Sequence, residues 1–242
     1  MVGEFDATAF SKLVNDLMGG WKSPSQYARI PSEFFNVPPL DRVLQTPDKE
    51  NAIYLAGIEM PMTSNDPDYP AMMLGNYLLG GGFLNSRLAT RLRQQMGVSY
   101  GAGSSFSADS LDKSATFKVY AIYAPQNEEK VRKAVREVLE TALAGGFTEK
   151  EVEAARSGLL QNRQVERAKD GSLVGRLATY EYIGRTMLWD ERFEQAVRTL
   201  TPAQVQDALR RHLDLKKLGV VTAGDFKGKA PKGASPQATP GK

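Results

Sequence analysis

"DYPAMMLGNYLLGGGFLNSRLATRLRQQMGVSYGAGSS" spans Asp68–Ser105, and the order of elements within it decides the fold. A helix starts near Tyr69, with Pro70 in the first turn, where a missing N–H does no harm. Gly80, Gly81 and Gly82 stop it. A second helix covers about 84–96, Gly97 breaks it, and a strand follows over about 98–108. Another strand-like run, about 114–123, comes after the polar "DSLDKS", so the two strands read as a hairpin.

Outward from this stretch the elements come in blocks. Upstream, 42–46 and 51–60 read as two strands joined at "PDKE". Downstream, "QNEEKVRKAVREVLETALAGG" is an amphipathic helix with Val131, Val135, Val138, Leu139, Ala142 and Leu143 on one stripe. Thr148 and Glu151 form a capping box for the next helix, which breaks near Asp170-Gly171. Further helices occupy about 172–184, "LWDERFEQAVRTL" and "TPAQVQDALRRHL", and "KLGVVTAG" is a short buried strand. Hairpin-linked strands with segregated helices predict an α+β fold, a mixed or antiparallel sheet with helices on one face, not a parallel doubly wound one.

The ends differ from this body. Residues 4–18 read as a helix with Asp6 as N-cap and Phe10, Leu13, Val14 and Leu17 at helical spacing, ended by Gly19-Gly20. "WKSPSQYARIPSEFFNVPPL" has four prolines and no period, and reads as a linker over a surface. The last sixteen residues, rich in Gly, Pro, Ser and Lys, read as a disordered tail. "VGEFD" at the start is echoed by "VVTAGDFK" near the end, which suggests two units of one repeat.

Composition narrows the function. The chain has 242 residues, 41% hydrophobic and 24% charged, enough for a sizeable core. It contains no cysteine and one histidine, His212. That removes disulfides, thiolate zinc sites and a self-contained catalytic zinc site. His212 sits near a helix C-terminus, where the dipole favours it, and reads as structural. The net charge is +3, but the tail carries four lysines and no acid; taking those four away leaves −1. A near-neutral body lacks the footprint of a nucleic-acid binder. No apolar run is long enough to span a bilayer. The triple glycine lacks a following Lys-Ser/Thr and reads as a helix stop with close backbone packing, not a phosphate cradle.

Arg93 and Tyr100 are the candidate site. An arginine on a helix and a tyrosine on the next strand can offer a guanidinium fork and a phenolic O–H to one carbonyl, oxyanion or carboxylate. A surface arginine with a core tyrosine is the plain alternative, and Arg91 competes for the arginine's role.

Asp68–Ser105 resembles the C-terminal homology domain of the pitrilysin/insulinase family of zinc metallopeptidases, as do "GGFTEKEVEAARSGLL" and "LTPAQVQDALRRHL" in the same order. The resemblance covers about residues 40–226. It implies a mostly antiparallel sheet of about six strands with long helices on one face. It makes residues 1–22 the closing strand and helix of a preceding homologous domain, 23–39 a linker, 40–226 the peptidase-like domain and 227–242 a basic tail. Family members close two halves around a peptide chamber, and one domain carries His-x-x-Glu-His. This chain cannot form that motif, so the resemblance implies a non-catalytic domain with no metal or cofactor of its own, paired with a zinc-bearing catalytic half of the same polypeptide or a separate subunit. Peptide is the implied substrate, and a bacterial periplasm the usual home. Arg93 and Tyr100 match the family's arginine and tyrosine, seven residues apart, that reach the substrate beside the zinc. A scaffold subunit and a peptide-binding module without peptidase activity are the alternatives.

Overall fold

A computed structural model describes residues 1–227. The tail expected from 227 onward lies outside the described residues apart from its first. Five strands form one mixed sheet: β1 (Asp41–Gln45), β2 (Ala52–Met60), β3 (Ser99–Ala108), β4 (Ala115–Tyr123) and β5 (Gly219–Gly224). Their order is β1-β5-β2-β4-β3, with β1 parallel to β5 and the other pairs antiparallel. The fold is α+β as expected, with five strands among the described residues and not six. The opening "VGEFD" forms no strand.

The alternation within β2 decides which face is covered. Ala52, Tyr54, Ala56, Ile58 and Met60 are buried, opposite Tyr123, Ala121, Val119, Phe117 and Ala115 of β4. On this face pack α2 (Tyr69–Asn76), α4 (Glu128–Gly145), α5 (Glu149–Arg167), α7 (Leu188–Thr199) and α8 (Pro202–His212), with α3 (Arg87–Ala89) and α6 (Asp170–Ile183) completing the layer. The apolar stripe predicted on α4 supplies Val131, Val135, Val138, Leu139 and Ala142 to the core. The capping boxes at Thr148/Glu151 and Thr201/Gln204 both form. α1 (Ala7–Met18) is capped by Asp6, which accepts from Thr8 N and Ala9 N, but it buries none of its residues.

The two helices predicted from Tyr69 up to the glycines at 80–82 and over about 84–96 are not regular. After Asn76 the first widens to a π-helix, Tyr77–Gly81. The second divides into a 3₁₀ turn (Phe83–Asn85), α3 and a π-helix, Thr90–Gln95. The first helix ends against β3. A Cβ on Gly80 would lie 2.1 Å from Ser104 N and 2.6 Å from the Gly103 carbonyl carbon. The helix therefore rests backbone to backbone on the strand.

Ion pairs tie the helical layer together. Arg87 forks onto Glu151 at 2.9 and 3.0 Å and lies 4.3 Å over the Phe147 ring, joining α3 to the start of α5. Asp190 on α7 is 2% exposed and accepts from Arg163 on α5, from Arg176 on α6 and from the Tyr180 hydroxyl at 2.7 Å. Burial of this carboxylate is offset by two guanidinium groups and a phenol, the condition under which a buried charge is tolerated.

Two outcomes test this packing. Gly80→Ala should lower the melting temperature by more than about 10 °C or prevent folding, because the obstacle is backbone and not a flexible side chain. Glu151 is held down at about 2, chiefly by the hydrogen bonds from Arg87. Its contribution is complete above the ordinary carboxylate value and is lost as pH falls from there toward 2. Glu151→Gln keeps the capping reach and removes the charge. It should melt about 3 °C lower than the parent at pH 7, with the gap closing toward pH 2; a gap that is unchanged at low pH would contradict the assignment.

Candidate functional site

The corner from Arg87 to Gly103 is anchored by Leu88 and Leu92, both fully buried. Ser86 caps α3 through Ala89 N. The π-helical turn closes with Met96 N donating to Arg91 O at 3.1 Å, and Val98 N donates to Leu92 O at 3.0 Å. Gly97 turns the chain at φ +61°, where a side chain would be strained. π-helical turns are frequent at functional sites.

Three arginines leave this corner with different fates. Arg87 is committed to Glu151. Arg91 donates to Glu137 at 3.2 Å and to Gln95 at 3.4 Å. Arg93 is exposed and, among the described residues, forms no hydrogen bond or ion pair. The competitor Arg91 is thus occupied within the fold, whereas Arg93 is not.

Tyr100 is placed by a β-bulge. Ser99 lies opposite Tyr123 and Gly101 opposite Ile122, so Tyr100 is the extra residue in β3. Further along, Ala102, Ser104 and Phe106 face the helices opposite Ala121, Val119 and Phe117. Uninterrupted alternation would put Tyr100 on that same buried face. The bulge removes it from the ladder and leaves it 66% exposed, without a hydrogen bond among the described residues. The core-tyrosine alternative is therefore corrected: Tyr100 is a surface residue. Arg93 and Tyr100 flank one turn and both face solvent, but no hydrogen bond joins them. What the corner offers is two donors with no acceptor among the described residues.

One cluster needed testing as a metal site. Asp66, Asp68 and His212 bring one ligand atom each within 4.8 Å of one another. Asp68 already accepts from Arg211 at 2.9 and 2.6 Å and faces His212 Nε2 at 2.8 Å. Those hydrogen bonds, Arg211's first, hold its carboxyl below the usual range. A guanidinium occupying the carboxylate opposes a second cation there, and one histidine falls short of a zinc set. The residues do not fit zinc; His212 is a structural partner of Asp68, linking α8 to the start of α2.

The sheet's other face holds a feature that the sequence reading missed. Ile53, Leu55, Tyr120 and Val221 lie beneath the linker residues Phe35 and Val37, around a cleft of about 730 Å³. The signal was present: "NAIYLAGIEM" is apolar on both faces, as strands covered on both sides are. The linker is tied down across the molecule. Arg29 forks onto Asp112 at 2.5 and 2.7 Å, Ser32 N donates to Asp112 at 2.6 Å, and the Tyr27 and Tyr182 hydroxyls meet.

Comparison with known proteins places this geometry. Solved structures share the fold over most of the chain. The peptidase M16 inactive domain from Pseudomonas fluorescens is 23% identical with a TM-score of 0.76, covering 91% of this chain and 51% of that one. A protease from Helicobacter pylori is 16% identical with a TM-score of 0.77, covering 92% and 53%. The periplasmic protease PqqL from Escherichia coli is 17% identical with a TM-score of 0.68, covering 92% and 24%. The chain thus spans about half the length of the first two. No curated protein matches it in sequence. A family model described as the peptidase M16 inactive domain matches residues 1–159. With that match covering more than half of its residues, the chain belongs to the family of peptidase M16 inactive domains.

Proposed function

We propose that this chain is the non-catalytic part of a zinc metalloendopeptidase, closing a peptide chamber and lending Arg93 and Tyr100 to a zinc site on another domain. The observation that carries it is the pair itself: the arginine left without an acid partner and the tyrosine expelled from its strand, both exposed at one turn. The zinc of the other domain would supply a Lewis acid. This chain's residues hydrogen-bond the scissile carbonyl oxygen, orient it, and hold it more tightly as it gains negative charge. Guanidinium and phenol are both hydrogen-bond donors. The catalytic half, whether the same polypeptide or a paired subunit, is the proposed partner and peptide the proposed substrate. A periplasmic location follows the E. coli neighbour; among the described residues no helix is long and apolar enough to cross a membrane.

Assayed together with the catalytic half, Arg93→Ala and Tyr100→Phe should each lower turnover on the order of a hundredfold, about 3 kcal/mol, with the melting temperature unchanged. Arg93→Lys keeps the charge without the fork and should recover only part of the loss. The double variant should lose less than the two singles combined. Unchanged turnover, or losses that follow stability, would favour a scaffold. Weakened peptide binding by a parent without turnover would identify a binding module.

The same reading makes residues 1–22 the end of a preceding domain and 23–39 a linker. α1 buries no residue of its own. Deleting residues 1–20 should therefore lower the melting temperature by less than about 10 °C, and a larger fall would make the segment integral to this core.

A further inference from the structure

The junction of α5, α6 and α7 holds more positive than negative charge. Among the described residues, Arg163, Arg167, Arg176 and Arg185 between them form ion pairs within 4 Å with only two carboxylates, Asp190 and Glu194; Glu166, which also faces Arg176, is paired with Lys169. Arg163 and Arg176 share one oxygen of Asp190, and Glu194 is shared by Arg163 and Arg167. Arg185 has none: among the described residues no carboxylate oxygen lies within 4 Å of it. It is instead fixed by neutral acceptors, Ser64 Oγ at 2.8 Å, Asn65 Oδ1 at 2.7 Å and Ser110 Oγ at 3.1 Å. Its guanidinium lies 4.5 Å over the ring of Trp189, whose own Nε1 donates to Asn65 at 3.0 Å. The group is half-buried, held in one place and uncompensated.

Arg185, Arg176 and Tyr69 line a shallow cavity of about 290 Å³. That is on the order of ten water volumes, room for a tetrahedral oxyanion with some of its hydration. Tyr69 is positioned by aromatic neighbours, Phe106, Trp189 and Phe193, at centroid distances of 5.9, 6.1 and 5.7 Å. Its hydroxyl has no hydrogen-bond partner among the described residues. Burial pushes this phenol up, against the opposing pull of Arg163 and Arg185, so it remains a donor. Three lining arginines, Arg163, Arg176 and Arg185, face one lining carboxylate, Asp190, whose oxygens already accept from Arg163, Arg176 and Tyr180. The excess of two positive charges describes a receptor for an anion of about that charge.

We propose that the cavity bounded by Arg185, Arg176 and Tyr69 binds a phosphate-class oxyanion, either free phosphate or a phosphate monoester. The site lies in the helical layer, goes beyond the peptidase reading and does not depend on it. Trp189 is a built-in reporter, because the chain's other tryptophan, Trp21, is 73% exposed and replaceable by Phe. In Trp21→Phe protein, inorganic phosphate should change Trp189 emission saturably at fixed ionic strength, and chloride should not. Arg185→Gln should weaken the phosphate affinity by about tenfold or more. Tyr69→Phe keeps the ring and removes one donor, so it should weaken affinity about threefold or more while the fold is retained. A phosphoserine tetrapeptide that competes with phosphate identifies a monoester as ligand; one that does not identifies the free ion. The proposal is overturned if phosphate gives no saturable response, or if Tyr69→Phe protein binds it as the parent does.

Discussion

The contact of Gly80 with the backbone of Gly103 and Ser104 is the constraint that sets how closely the helical layer lies on β3 at the candidate corner. It brings a helix closer to a strand than any side chain permits. Beside this approach the chain has two π-helical turns, Tyr77–Gly81 and Thr90–Gln95, and one inserted residue in β3. The widened second turn carries Arg93, and the inserted residue is Tyr100. Ser104, against which Gly80 rests, also holds the helix by donating to Asn76 Oδ1 at 2.8 Å. Tight packing on the inside and free donors on the outside thus meet at one corner.

Charge is arranged by the same economy of partners. Arginines that must hold elements together are given acids: Arg87 to Glu151, Arg132 to Asp41 and Glu128, Arg211 to Asp68. Others, Arg93 and Arg185 among them, have no acid partner within 4 Å among the described residues. Arg93 stands exposed in water, where an unpaired charge costs little. Arg185 is half-buried, where it costs more, and the surrounding hydroxyls and amide lower that cost without cancelling the charge.

Much of this was visible in the sequence wherever the cause is local. Asp6, Thr148 and Thr201 cap helices because a short polar side chain can reach the orphan amides two or three residues on, and that reach is written in the spacing. The α4 stripe and the β3–β4 hairpin were equally plain. The π-helices were not, because a widened turn keeps the same residues in nearly the same pattern as an α-turn. The bulge was hidden too: one inserted residue changes the face of Tyr100 without altering any composition or spacing. Of the candidate site, both residues were named by their resemblance to the family's arginine and tyrosine, but their exposure and the occupation of Arg91 by Glu137 depend on residues far along the chain. The buried role of Asp190 lay beyond reach for the same reason, since its partners come from two other helices, α5 and α6.

The strand order carries a consequence for how the chain acquires its structure. β5 lies between β1 and β2, yet it is the last strand made, about 160 residues after β2; at ribosomal speeds of roughly 5–20 residues per second, its place stands empty for roughly 8–30 s. Through that interval β2 has an open edge with Ile53 and Leu55 beside it, a template for pairing with another nascent chain. Synthesis, and not only stability, therefore selects against delay in the helices that separate the two strands. The antiparallel pairing of β2 with β4, and of β4 with β3 through a short turn, gives the early chain something to hold while it waits.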